Sequence, residues 1–355
     1  MTAVEAPPTP ARGSGPSPTT GNAVTRGLRR LTRARETGIV IAVIVVVVVT
    51  TLVNPSFLFS VDGWRDLLLT PAMLLLLAVG EAMVIVTRSV DLSVGSVVGL
   101  TAYLTGELFI HVPGIPIVVV FLAGIVAGGI LGLINGALVA FAKVPALVIT
   151  LGTLYVYRGV NVLWTGSNQI NPSQLPDNFL NIGTNSIVGL PYLFFIALVV
   201  VLIAGWYMRN KRSGRELYAI GSDPAAAELY GLKVTQRVFI AFVISGALAG
   251  LAGVLFTARY GTSDSQTGTG LELQAVGAAV IGGVAIFGGS GSVYGAAIGA
   301  FLLITISRAL PILGVQSFWQ QAVVGILIIG AIILDRYLAL RVSRRLLAER
   351  ENSHE

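Results

Sequence analysis

The chain has 355 residues, of which 54% are hydrophobic and 11% are charged, and its mean hydropathy is +0.83. Soluble domains carry about 25% charged residues, so this composition excludes a soluble protein and indicates an integral membrane protein. The net charge is +6, but the basic residues gather in tails and loops that flank apolar segments. That distribution is typical of membrane topology signals and argues against a nucleic acid partner.

The N-terminal segment differs from the rest of the chain. Residues 1–37 contain five prolines, many Ser and Thr residues and six arginines, which predicts a disordered, basic tail on the cytoplasmic side. The first apolar run, which starts at Gly38, has no small-residue cleavage site after it. We therefore expect an uncleaved first membrane span.

Apolar runs long enough to cross a bilayer, roughly 20 residues each, recur almost to the C-terminus. Basic residues concentrate in the loop 209–237, in the tail 338–355 and just before that tail. The segment 166–186, by contrast, has one acidic residue and no basic residue. This pattern predicts an all-α helical bundle of about ten transmembrane helices over 38–337, with both termini and the loop 209–237 in the cytoplasm. The predicted spans are 38–57, 67–87, 94–111, 114–142, 145–165, 187–208, 238–257, 272–288, 291–310 and 316–335.

Glycines recur at four-residue intervals on three of these spans. Because glycine has no side chain, such stripes let membrane helices approach backbone to backbone, and we interpret them as packing surfaces. The stripes are Gly124, Gly128, Gly132 and Gly136; Gly291, Gly295 and Gly299; and Gly246 and Gly250.

Two stretches, 79–100 and 276–297, resemble each other, with Ser96-Val97-Val98-Gly99 aligned to Ser292-Val293-Tyr294-Gly295. A duplicated architecture, as in many transporters, explains the resemblance. The composition of glycine-rich membrane helices explains it equally well.

Polar residues at membrane depth are costly and therefore informative. Asp91, Ser93 and Ser96 lie between two spans, where they either line a cavity between broken helices or form an interfacial turn in which Asp91 caps the next helix. Glu81 lies deeper, within an apolar span, and either faces the transport pathway or pairs with a neighbouring helix.

The span 145–165 carries a polar stripe within an arc of about 80°. Hydroxyl, amide and aromatic groups in this arrangement suit a sugar in a transport pathway, and they also suit hydrogen bonds between helices with no ligand. We favour the pathway, and we expect Arg158, at the edge of the stripe, to snorkel to the membrane interface. The stripe consists of Thr150, Thr153, Tyr157, Asn161 and Trp164.

The chain itself has no signature of an enzyme. Its three lysines, Lys143, Lys211 and Lys233, follow Ala, Asn and Leu, so there is no Gly-Lys-Ser/Thr phosphate-binding motif. Neither a Ser-His-Asp arrangement nor a metal-ligand spacing is present in the sequence, so we expect no catalytic residue, metal or cofactor.

A short polar segment interrupts the apolar chain. Asp223 and Pro224 are a favourable N-cap and first residue, the alanines that follow are strong helix formers, and Gly231 is a favourable terminator. This predicts a short cytoplasmic helix that presents Leu229 and Tyr230. Such a helix either docks a cytoplasmic partner and transmits its motion or lies idle on the membrane surface.

Four ordered segments resemble the permease subunits of bacterial monosaccharide ABC importers of the ribose, xylose and galactose type. These segments are VDLSVGS (90–96), VPALVITLGTLYVYRGV (144–160), LYAIGSDPAAAELYGLKV (217–234) and IFGGSGSVYGAAIGAFL (286–302). The resemblance, which covers about residues 38–337, implies a bacterial inner-membrane permease that forms a homo- or heterodimer and binds a cytoplasmic ABC ATPase. It also implies that a periplasmic or lipid-anchored binding protein delivers the sugar.

The resemblance further implies that the ATPase contacts Ala219, Gly221, Asp223, Ala226, Ala227 and Gly231. This chain departs from the family pattern at Arg88-Ser89-Val90, where two glycines and an apolar residue are usual, and the added cation beside Asp91 affects the expected substrate and pathway. The alternatives are a related importer for branched-chain amino acids or nucleosides and a secondary transporter or channel that works without ATP.

Overall fold

The structure is a computed structural model that describes residues 35–316 except 188, together with short stretches and single positions between 319 and 337. The predicted tails, 1–37 and 338–355, fall almost entirely outside the described residues, and so does part of the last predicted span, 316–335. In the described residues helices dominate, as the sequence predicts, and the only strands form one short hairpin.

The helices before the hairpin are α1 Arg35–Val53, α2 Ser56–Phe59, α3 Val61–Leu69, α4 Ala72–Ile85, α5 Val94–His111, α6 Ile117–Ala140, α7 Ala146–Thr165, the 3-10 helix Pro172–Gln174 and α8 Asp177–Thr184. The hairpin consists of β1 Ser186–Ile187 and β2 Leu190–Pro191. The helices after it are α9 Tyr192–Asn210, α10 Arg212–Ser222, α11 Pro224–Leu229, α12 Val234–Tyr260, α13 Leu271–Ile281 and α14 Val293–Ile312.

Eight helical segments in the described residues are long and apolar enough to cross a membrane, and Val61–Ile85 counts as one of them. The predicted span 272–288 is wrong in length, because α13 ends at Ile281 after 11 residues. At 1.5 Å per residue, α13 covers about 16 Å, roughly half of a hydrocarbon core. The glycines that follow, Gly283, Gly288 and Gly289, have positive φ angles that a helix does not accommodate.

The glycine stripes on α6 and α12 face each other, which confirms their interpretation as packing surfaces. A Cβ atom on Gly128 would lie 2.6 Å from the Gly250 Cα atom, and one on Gly132 would lie 3.0 Å from the Gly246 Cα atom. On α14, Gly295 and Gly299 pack in the same way against the end of α13. Gly291 does not belong to that helical stripe, because it lies in the turn before α14 with φ +142°.

The two similar stretches of sequence adopt the same local architecture. Each forms a helix, a turn and a second helix: α4, residues 86–93 and α5 in one case, and α13, the glycine-rich residues 282–292 and α14 in the other. The turns touch, since the Gly289 amide donates to the Val86 carbonyl oxygen at 2.9 Å. Ser93 and Ser292 are the N-caps of the second helices, so the structural alignment differs by three residues from the sequence alignment of Ser96 with Ser292.

Two ends of the bundle are distinguished by the loops they carry. The coupling end carries α10 and α11, which follow the C-terminus of α9. The far end carries residues 166–191, which precede α9, and residues 261–270, which are joined to them where the Ile170 amide donates to the Ser263 carbonyl oxygen at 2.9 Å. Phe179 is fully buried at the far end and packs against Phe109, with ring centroids 4.7 Å apart.

Candidate functional site

The polar segment at the coupling end folds into α11 with the predicted caps. The Asp223 Oδ1 atom accepts from the Ala225 and Ala226 amides, each at 3.0 Å, and Gly231 has φ +76° after the last turn. Ala227 is buried, whereas Leu229 is 89% exposed and Tyr230 is 86% exposed. An apolar pair therefore projects away from the described bundle at the end of this helix.

Sequence reasoning missed α10, the helix that directly precedes α11 and contains Ala219 and Gly221. Its polar and apolar residues alternate at helical spacing, so Gly214, Leu217, Ile220 and Gly221 are buried while Arg215 and Ala219 are exposed. Gly221 packs so closely on the main chain of the 86–93 turn that a Cβ atom there would overlap the Val86 carbonyl oxygen. This contact brings the α10–α11 unit directly against the turn between α4 and α5.

Arg88, which departs from the family pattern, bonds to the end of α10. Its Nε atom donates to the Gly221 carbonyl oxygen and its Nη2 atom donates to the Ser222 carbonyl oxygen, each at 2.6 Å. These are carbonyls of the last turn of α10, where unpaired acceptors and the helix dipole favour a cation. Among the described residues Arg88 forms no ion pair with Asp91, and its guanidinium joins the turn 86–93 to α10.

Glu216 joins α10 to the start of α12. Its carboxylate accepts from the Arg212 Nε atom at 2.9 Å and from the Arg237 Nε atom at 2.5 Å. Burial by itself raises the pKa of Glu216, but the hydrogen bonds and charges of Arg237 and Arg212 outweigh it and hold the pKa below its ordinary value. The carboxylate is therefore charged at neutral pH and holds α10 to the bundle.

The polar residues of the turn 86–93 form a buried cluster. The Asp91 Oδ1 atom accepts from the Ser93 amide at 3.0 Å and from the Ser93 Oγ atom at 2.6 Å, and the Asn135 Nδ2 atom donates to Ser93 Oγ at 2.7 Å. Asp91 thus ties the turn that precedes α5, whereas Ser93 is the N-cap residue of that helix, and all three residues are buried.

Glu81 lies beside this cluster and is fully buried in α4. Its Oε2 atom accepts a long hydrogen bond from the Asp91 amide at 3.5 Å, while its Oε1 atom and the Ser245 Oγ atom have no hydrogen-bond partner among the described residues. The same region therefore contains two acids and unsatisfied hydrogen-bonding capacity. In the part of the chain that the structure describes, no group of three His, Asp or Glu side chains could hold a metal ion.

Apart from Trp164, the stripe on α7 faces the protein interior, and two of its hydroxyl groups bond to other elements of the bundle. Thr150 Oγ1 donates to the Val90 carbonyl oxygen at 3.0 Å, and the Tyr157 hydroxyl donates to the Leu131 carbonyl oxygen at 2.9 Å. Thr153 is buried and bonds within its own helix, and Ser96 Oγ on α5 donates to the Leu154 carbonyl oxygen at 2.9 Å. In the described conformation the hydroxyls of Thr150, Tyr157 and Ser96 therefore bond to neighbouring elements of the bundle, as in the ligand-free alternative for the stripe.

The far half of the stripe supports the loop 261–270. Arg158 Nη1 donates to the Thr267 carbonyl oxygen at 2.6 Å, and Asn161 Nδ2 reaches the Asp264 and Ser265 carbonyl oxygens at 3.4 Å. The guanidinium of Arg158, which was expected to snorkel to the membrane interface, bonds to protein carbonyls in the loop at the far end of the bundle. Trp164 is 42% exposed and packs edge-on against Tyr103, with centroids 5.2 Å apart.

Two residues of the site, Asn135 and Ser245, were not predicted. Asn135 is the single polar residue of α6, and Ser245 lies within the apolar middle part of α12. The isolated amide within α6 was the available signal, since polar residues inside spans mark helix contacts or pathways. Their partners lie on other helices, so only the fold reveals which residues they approach.

A family described as "Branched-chain amino acid transport system / permease component" matches residues 64–332. The chain belongs to this permease family. It is 36% identical to the Autoinducer 2 import system permease protein LsrC of Enterobacter sp. (strain 638) over 317 residues, which cover 89% of this chain and 91% of that protein. The chain is also similar to the proteins of the same name from two other bacteria. It is 35% identical to that of Klebsiella pneumoniae subsp. pneumoniae, over 89% of this chain and 91% of the relative. It is 33% identical to that of Shigella flexneri, over 90% of this chain and 92% of the relative. No solved structure matches the chain.

These matches confirm the resemblance to ABC importer permeases of the monosaccharide type. The fold, an all-α bundle of membrane-spanning helices, agrees with it. The permease is therefore a transport component of the membrane, and its family members are permeases and not enzymes.

Proposed function

We propose that the permease forms the membrane pathway for a monosaccharide or a closely similar cargo, and that a separate cytoplasmic ATPase drives transport by binding α11. A binding protein outside the cytoplasm delivers the cargo, and a second permease copy, identical or different, completes the assembly. In this arrangement the coupling end and both termini are cytoplasmic, and the protein resides in a bacterial plasma membrane.

The observation that carries this proposal is the exposed apolar pair on α11. Leu229 and Tyr230 project from the end of a capped helix in a loop that is rich in basic residues. Exposed apolar residues on a defined helix are typical of a surface that seats in a partner's groove. A connecting loop alone needs only a few residues, so the definition of α10 and α11 supports a docking role.

The contacts of α10 provide a route from α11 to the buried cluster. Motion of α11 moves the last turn of α10, whose carbonyl groups hold Arg88. Arg88 belongs to the turn that continues to Asp91 and Ser93 and thus to Asn135 on α6. We propose that alternating access rearranges this cluster, so that the polar groups of α5 and α7 that now bond to each other become accessible to the cargo.

The name of the relatives, Autoinducer 2 import system permease protein, and the monosaccharide-type resemblance support a sugar-like cargo. The description of the matched family favours a second candidate, branched-chain amino acids. Uptake by the complete transporter in inverted or right-side-out vesicles, with labelled ribose, xylose, galactose, autoinducer 2 and leucine, separates the two. Transport of leucine without transport of any sugar or of autoinducer 2 would reject the proposed cargo.

The docking role is tested with two exposed leucines. Leu229 is 89% exposed on α11, and Leu163 is 85% exposed on α7, so Leu163→Ala is a matched control for Leu229→Ala. We expect Leu229→Ala to reduce the amount of ATPase that co-purifies with the permease, with Leu163→Ala unchanged. Ala226→Pro removes the amide that Asp223 caps and should abolish ATP-dependent uptake.

Two results would contradict the docking proposal. One is equal ATPase recovery and equal uptake for Leu229→Ala, Ala226→Pro and the wild type. The other is full uptake by the purified permease in vesicles with no ATPase present, since that result would assign the chain to the ATP-independent transporters.

A further inference from the structure

A cavity of about 360 Å³ opens at the far end of the bundle, between the last turns of α12 and the loop 261–270. We call it the loop cavity. Its volume falls in the range of small-molecule pockets, about 300–1,000 Å³. Its lining includes Phe256, Thr262, Asp264, Gln266, Thr267 and Thr269.

Several polar groups of the loop cavity are available to a ligand. The Asp264 Oδ1 atom accepts from the Gln266 amide at 2.9 Å and from the Thr267 hydroxyl at 3.0 Å, which leaves the Oδ2 atom free among the described residues. The side-chain amide of Gln266 and the hydroxyls of Thr262 and Thr269 also lack a hydrogen-bond partner in that part of the chain. A carboxylate oxygen, an amide and two hydroxyls thus line one small volume.

One wall of the cavity is aromatic. Phe256 belongs to the lining, and its ring packs against Tyr260, with centroids 4.6 Å apart and planes inclined at 49°. An aromatic face beside several hydrogen-bonding groups suits the alternating apolar and hydroxyl surfaces of a sugar ring.

The charges of the lining discriminate between the two candidate cargoes. Among the lining residues, Asp264 is the single charged group and no cation is present. Asp264 could hold the ammonium of a free amino acid, but the carboxylate of that ligand needs a cation or several N–H donors, whereas the hydroxyls of a neutral polyol need only hydrogen-bond partners such as Asp264. Arg158 does not supply that cation, because it lies outside the lining and donates to the Thr267 carbonyl oxygen.

The loop that forms the cavity is held in place from below. Arg158 and Asn161 bond to main-chain carbonyls of residues 264–267, and a Cβ atom on Gly99 would lie 2.5 Å from the Thr267 carbonyl oxygen. The loop therefore rests directly on the main chain of α5. A loop that is already fixed loses little conformational entropy when a ligand binds, so this arrangement favours a preformed site.

We propose that the loop cavity is a binding site for a neutral monosaccharide, in which Asp264 and Gln266 bond to ring hydroxyls and Phe256 covers the apolar face of the ring. This inference rests on the proposed function and deepens it, because it names where the cargo is held at the far end. Arg158 and Asn161 are positioning residues for the site.

The test uses the full chain in lipid nanodiscs, without nucleotide or binding protein, and saturation-transfer NMR with D-ribose, D-xylose, D-galactose and, as the amino acid probe, L-leucine. The variants are Asp264→Asn, which keeps the Oδ1 acceptor that closes the loop, and Phe256→Leu. Asp177→Asn and Phe195→Leu are the matched controls, since both residues are exposed and lie outside the cavity.

We expect at least one sugar to bind the wild type and both controls, and to bind Asp264→Asn and Phe256→Leu at least about tenfold more weakly. Three results would overturn the proposal: no sugar signal in the wild type, equal sugar affinity in all variants, or leucine bound in place of the sugars. This test can fail without failure of the docking test. If Asp264→Asn leaves the sugar affinity unchanged while the permease still co-purifies with its ATPase and transports sugar, the proposed function stands and this binding site is rejected.

Discussion

Arg88 and Gly221 lie 133 positions apart in the sequence, and the Arg88 Nε atom donates to the Gly221 carbonyl oxygen at 2.6 Å. This contact joins the turn between α4 and α5 to the last turn of α10. Because Gly221 also packs against the Val86 main chain, the α10–α11 unit cannot move without a rearrangement at the turn 86–93. Its position makes Arg88 a connection between the α10–α11 unit and the buried polar cluster.

Replacement of Arg88 should uncouple transport from ATPase binding. We expect Arg88→Ala to lower ATP-dependent uptake about 5-fold or more, which is the effect of losing a typical coupling free energy between two sites. The amount of ATPase that co-purifies with the permease should not change. Arg88→Lys keeps the charge but not the two-atom fork, so it should restore uptake only in part. Lys143→Ala, at an exposed cation in the loop after α6, is the control, and uptake equal to that control in both Arg88 variants would contradict the role.

The close approach of α6 and α12 depends on the absence of one methyl group. Gly128→Ala places a Cβ atom 2.6 Å from the Gly250 Cα atom, whereas Gly129→Ala, one residue along, meets its nearest atom at 3.8 Å. We expect Gly128→Ala to destabilise the protein by about 1–3 kcal/mol and Gly129→Ala to leave its melting temperature in detergent unchanged. Equal melting temperatures for the two variants would mean that the helices do not pack in this register.

The Glu216 contacts predict a pH-dependent stability. A carboxyl group whose pKa is lower in the folded state than its reference value of 4.5 stabilises the fold above that value, and the contribution disappears as the pH falls through the folded pKa. Glu216→Gln should therefore lower the melting temperature at about pH 7 and have a smaller effect at about pH 4. Glu228→Gln, at an exposed acid of α11, is the control, and a Glu216→Gln effect that does not shrink in acid would contradict the charged contact.

Tyr157 and Tyr155 separate the inner and outer faces of α7. Tyr157→Phe removes a hydroxyl that donates to the Leu131 carbonyl oxygen, which should cost about 1 kcal/mol of stability. Tyr155 is 69% exposed, and Tyr155→Phe should leave stability unchanged. Thermal unfolding in detergent measures both. A larger loss of stability for Tyr155→Phe than for Tyr157→Phe would contradict this orientation of α7, because the Tyr155 face would then be the one that packs in the bundle.

The site could be predicted from the sequence wherever its chemistry is local. Asp223, Pro224 and Gly231 are close neighbours in the chain, and their preferences fix the ends of α11 without reference to other helices. The polar stripe on α7 was also visible, because helical periodicity places its residues on one face. Periodicity does not say what that face contacts, so it could not separate a pathway from the bonds that Tyr157 and Asn161 make.

The sequence by itself determined that the chain is a helical membrane protein, where most of its spans lie and that a capped helix interrupts them, since hydrophobic length and capping are properties of short segments. Only the tertiary structure decided that α13 is half a span, that Arg88 bonds to α10 and that Arg158 holds the loop 261–270. Each of these depends on groups more than 100 residues apart or on a turn whose glycines adopt positive φ angles. Such contacts arise when the helices pack, and no local preference encodes them.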